Sequence, residues 1–139
     1  MIKDTETLYS EIKGAGDIDA YLEENKEHLT GSSFAEYICG LLKKKGLSIA
    51  EVQRKSQLTN YIYEIFKGVK TPTRNIVLQL CFGFSLTPEE SQRLLRLAKT
   101  GSLYPRDRRD SVILFGLKEK LACAQINDLL DEKGLECIL

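Results

Sequence analysis

Residues 41–72 read LLKKKGLSIAEVQRKSQLTNYIYEIFKGVKTP, and the reading of this stretch decides the fold. Gly46 stops an apolar-striped helix whose last turn, Lys43-Lys44-Lys45, puts cations at the negative end of the helix dipole. Ser48 then caps a short helix over 49–55, and Ser56-Gln57-Leu58-Thr59 makes a turn with an apolar plug at Leu58. A third helix is predicted over 60–67. Ile62, Ile65 and Phe66 point inward, and Tyr61, Tyr63, Glu64 and Lys67 point outward. Gly68 ends it, and 69–75 turns into a fourth helix.

Working outward, helical spacing recurs and no alternating strand pattern appears, so the chain is all-α. Asp4 starts a weakly apolar helix to Lys13, closed by Gly14-Ala15-Gly16. Asp17 caps a second, whose exit is expected near His28-Leu29-Thr30-Gly31. Ser32 or Ser33 caps the helix carrying Phe34, Tyr37, Ile38, Leu41 and Leu42 at i, i+3, i+4, i+7, i+8 spacing. The fourth helix presents Ile76, Val77, Leu80, Cys81 and Phe84. Thr87-Pro88-Glu89-Glu90 is a strong helix start leading to Leu94, Leu95, Leu97 and Ala98. Two last helices are expected at 111–121 and 124–133. Val112 to Phe115 are apolar on more than one side, which suits the core or a subunit interface. The expected organisation is an acidic N-terminal helical extension over 1–31, a domain over 32–99 and a C-terminal helical hairpin over 100–139 packed on the core.

The chain of 139 residues has 20 basic and 20 acidic side chains, but they are unevenly placed. Residues 1–30 carry net −5, 31–75 net +5, 76–110 net +2 and 111–139 net −2. A basic centre between acidic ends can bind a polyanion through the centre alone, or can be a solvated face with an acidic helix folded over it. Arg106, Arg108 and Arg109 alternate with Asp107 and Asp110, a pattern that favours a salt-bridged tie to the core over a phosphate site.

Several function classes are poorly supported. No uncharged stretch approaches the roughly 18 residues of a membrane span, and the start Met1-Ile2-Lys3-Asp4 does not read as a signal peptide. Cys39, Cys81, Cys123 and Cys137 form no CxxC pair, and His28 is the one histidine. Reduced, buried thiols in a cytoplasmic protein are therefore expected, with no metal and no cofactor. No nucleophile elbow or phosphate loop appears, so the chain does not read as an enzyme.

Two short helices joined by a tight turn and followed by Gly-x-x-x-Pro form a helix-turn-helix arrangement. Residues 41–52 and 62–72 together resemble the phage-repressor/Cro-like, Xre-type helix-turn-helix family, over about residues 33–98. The resemblance implies a lambda-repressor-like five-helix DNA-binding domain with extra terminal helices. It implies a sequence-specific transcriptional regulator of double-stranded DNA, as a homodimer reading two half-sites. Asn60, Tyr61, Tyr63, Glu64 and Lys67 would face the bases. Lys45, Ser48, Thr59, Lys70, Thr71, Thr73 and Arg74 would face phosphates. Departures are plain: Gln57 stands where the family's turn has Gly at positive φ, Gln53 where it has Ala, and the segment from Gly46 to Phe66 is one residue short. The competing expectation is a helical protein-interaction module that has lost DNA binding, with both tyrosines covering the core or a protein partner.

Overall fold

The computed structural model describes residues 3–25, 33–59 and 61–139, and among these residues every regular element is helical. The helices are α1 (Thr5–Gly14), α2 (Ile18–Glu24), α3 (Ser33–Lys45), α4 (Ile49–Ser56), α5 (Ile62–Phe66), α6 (Arg74–Gly83), α7 (Pro88–Leu97), α8 (Arg108–Lys118) and α9 (Cys123–Glu132). α2 ends at Glu24 with Asn25 as its C-cap, whose N–H donates to Tyr21 O, earlier than the exit expected near His28–Gly31; those residues and the Ser32 cap lie outside the described residues.

Local chemistry sets most of the helix ends. Asp4 and Asp17 accept backbone N–H groups at the starts of α1 and α2. Ser48 and Glu51 form a reciprocal capping box on α4, and Thr87 with Glu90 forms another on α7, where Pro88 takes the first turn. Asp107 caps α8, so that helix begins at Arg108, three residues before the expected Ser111. The third helix is also shorter than expected. Its regular part is Ile62–Phe66, with Tyr61 and Lys67 as flanking caps.

The core is built by α3 to α9. Ile38, Val52, Ile62, Ile65, Val77, Leu80, Leu94 and Leu95 are essentially inaccessible and form one cluster with Ile113, Leu117, Ile126 and Ile138. α4 lies along α6, α6 packs on α7 and α9, and α3 touches α5 and α7. Phe66 of α5 meets Phe84 just beyond α6 with ring centroids 6.3 Å apart. Ile113 and Leu117 turn α8 inward, while Phe115 remains 49% exposed, so the apolar run at 112–115 is core on one side only. α1 and α2 pack on each other, and Tyr9, Ile12, Ile18 and Leu22 remain exposed.

Two positions fix how α4 enters and leaves this core. At Gly83, an added Cβ would lie 2.7 Å from Ser56 Oγ and 2.9 Å from Ser56 Cβ. Glycine there lets the last turn of α4 sit directly against α6. The buried Ser56 hydroxyl donates back to the Val52 carbonyl, and its own carbonyl accepts from Gln79 Nε2 at 3.1 Å. The next residue, Gln57, is left-handed with φ 58° and ψ 30°. Its N–H donates to Arg54 O, and Leu58 N–H donates to Gln53 O, which closes the helix. A β-carbon in this region is strained, as the sequence leads one to expect.

Gln57→Gly is expected to stabilise the protein by about 0.5–1 kcal/mol, the relief of left-handed strain less glycine's added chain entropy. Gly83→Ala is expected to destabilise it by about 1–3 kcal/mol through overpacking against Ser56. Urea melts of both variants check the pair, and a stabilising Gly83→Ala would refute the close approach.

Candidate nucleic-acid interface

α5 is amphipathic over little more than one turn. Ile62, Ile65 and Phe66 are buried, and Tyr63, Glu64 and Lys67 face solvent, Tyr63 at 44%. Its carbonyl at Glu64 accepts the N–H of Val69 at 2.9 Å and of Lys70 at 3.3 Å, which folds the following loop back on the helix. Lys70, Thr71 and Thr73 are exposed along that loop, and Pro72 is buried beneath it. Thr73 is the N-cap of α6 but its side chain makes no capping hydrogen bond.

Basic groups flank this short helix. Lys67 and Lys43 line a shallow furrow between α5 and α3, shared with Glu36. Arg54 and Lys55 are exposed in the last turn of α4, immediately before the turn at Gln57. The ion pairs among the described residues are Lys3–Glu11 and Arg74–Asp110, so none of Lys43, Arg54, Lys55, Lys67 or Lys70 is tied up in one.

No family model, curated protein or solved structure matches this chain. The geometry of its own residues therefore carries the functional argument.

The sequence-predicted residues fall into three groups. Tyr63, Glu64, Lys67, Lys70 and Thr71 are brought together, exposed, on α5 and the loop after it, with Thr59 exposed just before α5 and Thr73 at the loop's far end. Asn60 lies outside the described residues. The remaining four have other partners. Tyr61, expected to face outward, is half-buried and packs against the core. Ser48 accepts the Glu51 N–H at 3.1 Å, and the Glu51 carboxylate, held below its ordinary 4.5 by the Ser48 N–H, puts negative charge where a phosphate would have to sit. Lys45 is half-buried and, with Lys44, acts on the Glu90 carboxylate at the start of α7.

Arg74 departs furthest from its expected role. Its Nη1 and Nη2 donate to the two carboxylate oxygens of Asp110 at 3.2 and 2.9 Å. Its Nε donates to Gly101 O at 3.2 Å and Nη2 to Ser102 O at 3.0 Å. Asp110 is 6% exposed and also accepts the Tyr104 N–H. A guanidinium in this planar fork has little left for a phosphate. Next to it, Arg109 donates to Asn75 Oδ1 and to the carbonyls of Glu136 and Cys137, tying α8 to α6 and to the chain's last residues. The alternating Arg/Asp run is thus an internal tie through Asp110 and Arg109, while Arg106 and Arg108 stay exposed.

Sequence reasoning left Lys43, Arg54, Lys55 and Val69 out of the site. The three cations were visible in the charge distribution, but only the fold brings Lys43 beside Lys67. Val69 is 73% exposed, the most of any large apolar side chain described, and nothing in its local pattern marks it. The thiols match the expectation in part. Cys81 and Cys123 are buried and pushed up to about 12 and about 11 by burial, whereas Cys39 and Cys137 are half-buried.

Arg74→Ala is expected to cost about 2–3 kcal/mol of stability, because it leaves the Asp110 carboxylate buried without its cation. Urea melts measure it, and a loss under 0.5 kcal/mol would show that the fork is not structural. A second expectation concerns acid. The Thr87 N–H, then the Lys45 and Lys44 charges, hold Glu90 below its ordinary 4.5. Its folded-state value being depressed, it contributes stability above about pH 4.5 that is lost as pH falls through the folded value. Glu90→Gln keeps a capping acceptor but should flatten this acid limb, as read from unfolding midpoints between pH 3 and 6.

Proposed function

We propose that the chain binds double-stranded DNA sequence-specifically as a transcriptional regulator, with a lambda-repressor-like arrangement of α3 to α7. The observation that carries this reading is the outer face of α5. Tyr63, Glu64 and Lys67 stand free in solvent while Ile62, Ile65 and Phe66 anchor the helix, and Lys43, Arg54, Lys55 and Lys70 surround it without ion-pair partners among the described residues. A helix this wide fits the major groove, where each base pair has its own donor and acceptor pattern.

The roles follow from chemistry. The Glu64 carboxylate accepts from a cytosine amino group, and Lys67 donates to guanine or to phosphate. Tyr63 packs on a sugar or a thymine methyl, and the exposed Val69 offers a second apolar contact. Lys70, Thr71 and Thr73 contact one phosphate run, and Lys43, Arg54 and Lys55 add positive charge on the other flanks. Asn60 enters from the sequence alone, as a bidentate reader of adenine. Arg74, Ser48 and Lys45 are left out, and Tyr61 supports the helix from beneath. Dimerisation would let two such helices read two half-sites. The half-exposed Phe115 on α8 is an apolar group that a second copy could cover.

The second reading is a protein-interaction module. The exposure of Tyr63 and Val69 favours it, since exposed aromatic and aliphatic side chains also suit a protein surface.

Selection from a random duplex pool, followed by a salt titration, separates the two. Duplex binding is expected to weaken log-linearly with salt, with a slope of about −3 to −4, from roughly 0.9 per phosphate neutralised by Arg54, Lys55, Lys67 and Lys70. Lys70→Ala should weaken all sequences alike. Glu64→Gln and Asn60→Ala should each relax preference at one position, by about 1–3 kcal/mol. No binding to any duplex at low salt would sink the regulator and leave the interaction module.

A further inference from the structure

A groove of about 380 Å³ opens between the start of α3, the loop after α5 and the end of α7. Its floor is apolar: Phe34, Ile65, Pro72 and Leu97. Lys70, on the α5–α6 loop, and Lys99, just after α7, are both among its lining residues, and Thr71 adds a hydroxyl next to Lys70 in the chain. None of its described lining side chains is acidic. The volume lies within the roughly 300–1,000 Å³ of small-ligand sites, and an apolar floor with few polar groups is the usual construction of such sites.

Charge complementarity selects the occupant. Two lysines in a largely apolar lining, with no carboxylate among the described lining residues, match a small molecule with one anionic end and a short hydrocarbon body. We propose that this groove binds a small amphipathic carboxylate, its head between Lys70 and Lys99 and its body over Phe34, Ile65 and Leu97. Occupancy takes Lys70 away from the solvent side of the loop. The ligand therefore weakens duplex binding, and this second half rests on the DNA reading above; the site itself does not.

Lys99 gives a clean handle. It is exposed, it lies outside the proposed DNA contacts, and its backbone is left-handed at φ 57°. Asn tolerates that conformation, so Lys99→Asn removes the charge without new strain.

The probe is decanoate below its micellar concentration, with decanol and decyltrimethylammonium as neutral and cationic counterparts, added to the full chain. Amide shifts are followed by NMR. Decanoate is expected to shift Ile65, Gly68, Leu97 and Ala98, decanol more weakly and the cation not at all. Lys99→Asn should weaken decanoate binding about threefold to fivefold. Decanoate should also lower duplex affinity several-fold in the native chain and much less in Lys99→Asn, whose own duplex affinity is unchanged. Equal binding of decanoate and decanol, absence of shifts in the groove, or shifts with anionic lipid vesicles only would each overturn the site. Groove shifts with an unchanged duplex affinity would overturn the coupling and leave the site standing. Failure to bind any duplex in the absence of decanoate would refute the DNA reading alone.

Discussion

The seating of Ser56 against Gly83 determines where everything in the candidate interface stands. α4 ends there, at a residue fully removed from solvent, with no room for even one methyl group between the two helices. The Ser56 carbonyl would be an unsatisfied acceptor at the end of a helix, but Gln79 of α6 donates to it, and the Cys123 thiol lies 3.5 Å from it. α4 is thereby fixed to α6 by packing and by polar satisfaction at one point. α6 is itself buried from Val77 to Gly83, so that point lies in the close-packed core. The chain then leaves α4 through Gln57 at a strained, left-handed angle.

This arrangement explains how so short a helix can present a defined face. Five residues make too little hydrogen bonding to hold a helix in water. α5 persists because three of its five side chains are core residues and because Phe66 is wedged against Phe84. Its exposed groups need no interactions of their own to stay in position. The Arg74–Asp110 fork and the Arg109 bonds do the corresponding work at the other end of the loop. They pin the first turn of α6 to α8 and to residues 101 and 102, so the loop carrying Lys70 and Thr71 runs between two anchored ends.

Much of this was legible in the sequence because it is local. Ser48, Thr87-Pro88, Asp4 and Asp17 specify helix starts through hydrogen bonds spanning two or three residues, and the structure has each of them. The stripes at 34–42 and 76–84 predict the core. Gln57 is informative in the opposite sense. Glycine would signal a left-handed turn by its identity, whereas glutamine betrays it only by standing between two well-defined helices. What the sequence could not disclose depends on side chains meeting across long separations. Arg74 and Asp110 are 36 residues apart, and no periodicity distinguishes an arginine that will fork onto a carboxylate from one that will meet a phosphate. Tyr61 caps α5 and Tyr63 lies within it, and the fold leaves the first half-buried against the core and the second exposed to solvent.

The electrostatic pattern sharpens when paired charges are set aside. Arg74 is paired with Asp110, and the Lys45 and Lys44 charges act on Glu90, so three of the eight cations in this stretch act on carboxylates outside it. What remains positive is narrower than the sequence suggests: Lys43, Arg54, Lys55, Lys67 and Lys70 are exposed, and of these Arg54 and Lys55 also act on the Glu51 carboxylate. A small number of cations around a fixed helix gives modest affinity for any polyanion, with discrimination left to the side chains on that helix. Those side chains include a carboxylate, Glu64, which repels phosphate and is tolerable only where it faces a donor. A surface built for charge alone would carry no acid there. Glu64 at the centre of the exposed face therefore argues that whatever α5 meets is recognised by pattern, with the lysines supplying attraction and the glutamate supplying refusal.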